Sequence, residues 1–116
     1  MSILHTTHGT WRTLKTTEQV LGLVHVEGYS VEEAVEEIRD DAARGQATAY
    51  NTLSPQRKAE AIAASTAMTE LGIEIARSLL KGEQADALGV VSEARKVAEQ
   101  HLKEAGRTVP TLGTEG

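Results

Sequence analysis

The sequence predicts an all-α fold, a small helical bundle of about four helices near residues 17–27, 31–44, 55–81 and 84–104. Three observations lead there. Apolar residues recur at three- and four-residue steps, capping residues precede three of the periodic stretches, and glycines close two of them. The expected centrepiece is a long antiparallel helical hairpin, residues 54–82 against 83–105. Residues 17–105 then form a single helical domain, with an N-terminal arm at 1–16 and a disordered Gly- and Pro-containing tail at 106–116 as loose ends.

The arm is rich in threonine and holds the only tryptophan, Trp11. It reads either as two short strands, Ile3 to Thr6 and Thr10 to Leu14, paired across His8-Gly9, or as an extended arm pinned by Trp11. His5 and His8 have no third ligand near them in sequence, so they are read as solvated histidines and not as a metal site. Thr16 and Thr17 can cap the first helix, with Gln19 in the capping-box position after Thr16. Its apolar residues Val20, Leu21, Leu23, Val24 and Val26 are mostly β-branched and surround Gly22, so a strand over 18–27 competes with the helix.

Ser30-Val31-Glu32-Glu33 is a capping box, with Tyr29 placed to staple onto Ala34. Val31, Ala34, Val35, Ile38 and Ala42 form the stripe to be buried, Gly45 is the expected stop, and Gln46 to Leu53 reads as a linker. Ser54-Pro55 opens the third helix, because the serine can cap free N–H groups and the proline suits the first helical position. Ile62, Ser65, Met68, Gly72, Ile75 and Leu79 form its stripe, widened by Thr69, Ile73, Ala76 and Leu80. Glu60, Glu70, Glu74, Arg77 and Lys81 lie opposite, with Glu74 in reach of Arg77. Gly82 is expected to end this helix in a left-handed conformation. The fourth helix turns Ala87, Leu88, Val91, Ala94, Ala98 and Leu102 inward and pairs Glu99 with Lys103 on its outer side.

Three aromatic residues and no phenylalanine imply a thin aliphatic core, which favours sharing helix faces in a homodimer. The small-residue stripe Ser65, Met68, Gly72, Ile75 and Leu79 is the expected dimer seam, since small side chains let helix axes approach closely. The absence of cysteine removes disulfides, thiolate metal sites and cysteine nucleophiles. No run approaches the roughly 20 apolar residues of a membrane span, and the N-terminus lacks signal-peptide features, so a cytoplasmic location without a membrane role is expected.

The net charge of −5 is concentrated in residues 30–45, where six acids stand against two arginines. Glu18 to Arg39 has the outline of a helix-turn-helix unit. Its second helix, however, would present Glu32, Glu33, Glu36, Glu37, Asp40 and Asp41 to the phosphates, which argues against a nucleic-acid partner on charge grounds. In Gly22, Gly28, Ser30, Ala34 and Arg39 the same stretch resembles part of an ANTAR RNA-binding domain. The interval between the glycines is one residue shorter than in that pattern and the basic residues are largely missing, so no functional residue is carried over.

The six acids instead suggest a face that docks a protein partner with a basic surface. No phosphate-cradling loop, metal-ligand cluster or activated nucleophile is legible, so neither enzymatic activity nor a cofactor is expected. The expected function is a helical protein-interaction or regulatory module. Its alternatives are a helix-turn-helix-like nucleic-acid-binding regulator and a small-ligand binder at a helical oligomer interface.

Overall fold

The computed structural model describes residues 7–105, which form four α-helices and, among the described residues, no strand. They are α1 (Thr7–His25), α2 (Val31–Ala49), α3 (Pro55–Lys81) and α4 (Ala87–Glu104). Residues 1–6 and the 106–116 tail, with the expected strand Ile3 to Thr6, lie outside the described residues.

Residues 7–16 are neither strand nor arm but the first half of α1, and Trp11, Thr13 and Thr16 are buried in it. The strand alternative for 18–27 falls with the same observation. Weak intrinsic propensity in a Thr-rich stretch is overridden here, because helix places Trp11, Leu14, Thr17 and Leu21 on packed sides of one element.

α2 begins as expected. Ser30 Oγ accepts the Glu33 N–H, the Glu33 carboxylate accepts the Ser30 N–H, and Tyr29 packs beside Val31 against the core that holds Ala34, Val35 and Ile38. Gly45 does not stop it. The helix runs on to Ala49 with Gly45 buried, and the following Gln46 side chain is anchored on α3. α3 is capped by Ser54 Oγ on the Arg57 N–H with Pro55 at its first turn.

At the end of α3 the expected left-handed residue is displaced by one position. Gly82 is right-handed, at φ −79°, and Glu83 carries the positive φ of 55°. α4 starts three residues later than the periodicity suggests, at Ala87, with no side-chain cap bond from Asp86.

Residue contacts fix the directions. Trp11 meets Ala98 and Leu102 while Glu18 meets Arg95, so α1 and α4 are antiparallel. Arg12 meets Ser65 and Thr17 meets Gly72, so α1 and α3 run the same way. Glu32 meets Arg77 and Arg39 meets Glu70, so α2 opposes α3. α3 and α4 therefore point in opposite directions, as a hairpin would, yet they barely touch each other. α1 lies between them and also packs on α2, making it the common partner of the other three helices. The core is aliphatic, centred on Val20, Leu21, Val35, Ile38, Ile73, Ala76 and Val91, with Trp11, Ala98 and Leu102 as a second cluster.

Candidate functional site

The outer face of α2 begins at its cap. Glu32 and Glu33 sit in the first turn, where the helix dipole favours negative charge. The Glu32 carboxylate accepts from Arg77 of α3 at 3.0 and 3.3 Å, and that hydrogen-bonded cation holds its pKa below the ordinary carboxylate range. Glu33 is also lowered, by the backbone N–H and then the side chain of Ser30. Glu37 accepts from Tyr29 Oη at 3.0 Å, which raises the tyrosine pKa. Asp41 is ion-paired with Arg44.

Four of the six acids are thus occupied within the chain. The other two, Glu36 and Asp40, are exposed and have no cationic partner among the described residues. Glu33, Glu36, Glu37, Asp40 and Arg44 line a shallow, open hollow of roughly 300 Å³. All of its lining comes from one helix, so it has no opposing wall. Among the described residues no group of three or more His, Asp or Glu is placed to hold a metal ion. No described helix is long and apolar enough to cross a membrane.

The second sequence-marked region is the small-residue stripe of α3. Ser65, Met68 and Gly72 are buried, while Ile75 and Leu79 are half-buried. The element facing Gly72 is α1 of the same chain: a Cβ built on Gly72 would stand 2.7 Å from the Thr13 carbonyl oxygen and 2.7 Å from Thr16 Cβ. Thr17 Oγ1 lies 3.0 Å from Thr13 O and 2.9 Å from Gly72 O, and shares its one proton between the two carbonyls. Close approach at this stripe is real, but it is used within the chain. Ser65 and Gly72 of the expected seam are therefore covered by α1 of the same chain.

Two polar clusters escaped sequence reasoning, because each joins residues from helices far apart in the chain. In the first, Arg95 of α4 binds Glu18 of α1 at 3.0 and 3.3 Å and Glu99 at 3.1 Å, while Trp11 Nε1 donates to Glu99 Oε1 at 3.2 Å. In the second, Arg12 of α1 donates to Ser65 Oγ at 3.1 Å, and Gln46 of α2 donates to Ser65 Oγ at 3.2 Å and to Thr66 Oγ1 at 3.1 Å. The one available signal was the presence of Arg12 and Glu18 in a segment that turned out to be helical. Arg77 hydrogen-bonds Glu32 and feels the expected Glu74 only through its charge, whereas the Glu99 to Lys103 pair forms at 3.8 Å.

No protein-family model matches the chain, and neither the curated proteins nor the solved structures contain a match to it.

Proposed function

We propose that this protein is a helical protein-interaction or regulatory module that docks a basic surface of a protein partner on the outer face of α2. The observation that carries the reading is the pair Glu36 and Asp40. They are four residues apart, exposed and without a cation among the described residues, on a helix whose other acids have partners in the chain. Like charges at this spacing cost a few tenths of a kcal/mol, roughly, and a complementary cation relieves the repulsion while speeding encounter. An open hollow without an opposing wall suits a protein surface better than an enclosed small molecule. The nucleic-acid alternative has less support, because Arg39 and Arg77 are tied to Glu70 and Glu32 and the remaining charges on this face are mostly acidic.

The test compares capture of proteins from the native lysate by the wild-type protein and by a Glu36→Lys, Asp40→Lys double variant. This choice leaves the capping box and the ion pairs intact. The expected result is an unchanged helical circular dichroism spectrum, loss of the partner by the variant, and a wild-type capture that survives nuclease and weakens as salt is raised. Recovery unaffected by charge reversal rejects the reading. Nuclease-sensitive capture that the added lysines strengthen favours the nucleic-acid alternative.

A further inference from the structure

Arginines in this fold are paired with carboxylates, with two exceptions among those described. Arg39, Arg44, Arg77 and Arg95 each hold a carboxylate, and Arg57 projects from an exposed position where water solvates it. Arg12 alone is half-buried and has no carboxylate partner among the described residues. Its Nε is fully buried and makes no hydrogen bond, and the neighbouring Thr13 Oγ1, in a residue only 1% exposed, is also unpartnered. A partly desolvated guanidinium without a counter-ion carries a cost that a neighbouring anion would offset.

The groups around it are donors. Ser65 Oγ receives N–H groups from both Arg12 and Gln46, so its own proton is left to donate, and Thr66 Oγ1 likewise receives Gln46. Thr66 is exposed and Gln46 is half-exposed, so solvent reaches this corner where α1, α2 and α3 meet. We infer that Arg12, Ser65 and Thr66, with Gln46 positioning the two hydroxyls, form a binding site for a phosphate-sized oxyanion. A guanidinium and two hydroxyls supply donors from several directions, which matches the tetrahedral oxygens of a phosphoryl group, while the Gln46 amide spends both its N–H groups on the two hydroxyl oxygens and so turns their protons outward. A planar carboxylate would be satisfied by the guanidinium alone. The site lies away from the acidic face of α2 and does not depend on the docking reading.

The test titrates the full chain with inorganic phosphate and, separately, with a simple phosphate monoester, following backbone amide resonances and thermal stability against chloride at matched ionic strength. Saturable shifts at Gln46, Ser65 and Thr66 with a rise in melting temperature are expected. Tighter binding of the monoester identifies a phosphorylated organic ligand, and equal or weaker binding identifies the free anion. Arg12→Gln should weaken binding at least tenfold. Because that variant can unfold, Gln46→Glu provides a second arm. It sets a carboxylate beside Arg12, so the variant should melt higher than the wild type and lose phosphate binding. Shifts that chloride reproduces, no saturation at tens of millimolar phosphate, or a Gln46→Glu variant that still binds phosphate as tightly as the wild type would each overturn the proposal.

Discussion

Gly72 shows how much a single residue decides here. It lets the α3 backbone approach α1 closely enough for the Thr17 hydroxyl to reach the Gly72 carbonyl. The atoms that a side chain would meet are a backbone oxygen and a β-carbon, neither of which can swing aside. Gly72→Ala should therefore destabilise the protein by about 1–3 kcal/mol, as overpacking does. Gly22, inside α1, has nothing within 4 Å of its notional Cβ, so Gly22→Ala should stabilise by about 0.5–1 kcal/mol through helix propensity. Urea denaturation of the two variants checks both signs. Equal effects would mean that the α1 to α3 contact is looser than these distances. The sequence marked Gly72 as a close-approach position, and that was legible from its small neighbours. Which helix approaches it was not, because a stripe of small residues carries no address.

Pairs of helices are joined by polar clasps as well as by apolar stripes. Between α1 and α4 the clasp is Glu18, Arg95, Glu99 and Trp11, largely withdrawn from solvent. Burial pushes the Glu18 carboxyl up, but hydrogen bonds from Ser92 and Arg95 and the charges of Arg95 and Lys15 outweigh it, leaving the pKa below its ordinary 4.5. A carboxyl lowered in the folded state contributes stability that is complete above its unfolded pKa and is lost as pH falls through the folded one. Urea midpoints should hence decline as the pH drops below about 4.5. Glu18→Gln should lower stability at neutral pH by about 1 kcal/mol, a figure reduced from that of a fully buried pair by the remaining solvent contact, and should flatten the acid limb. A variant with an unchanged acid limb would assign the pH dependence to other carboxyls such as Glu70, which Arg39 also lowers.

For the molecule as a whole, the position of α1 sets the cooperativity. Because α1 separates α3 from α4 and also packs on α2, removing it would leave no continuous core. Unfolding should accordingly be a single transition, with Trp11 fluorescence, which senses the α1 to α4 contact, coinciding with helical circular dichroism in urea. A fluorescence change that precedes the loss of helix would show α4 leaving an α1–α3 core that survives alone.

By itself the sequence determined the class of fold, the start of α2 and α3 and the inward faces of α2 and α4. Those features rest on short-range chemistry: a serine beside free N–H groups, a proline at a first turn, apolar residues three and four apart. The six acids of α2 were equally visible, since charge is a local property. Only the tertiary structure decided that residues 7–16 are helical, that α1 stands where a direct hairpin contact was expected, and that Arg12, Gln46 and Ser65 converge. The physical reason is common to all three. Weak local preference in a Thr-rich segment is settled by what it can bury, and burial depends on partners more than fifty residues away in the chain, as Thr17 and Gly72 are.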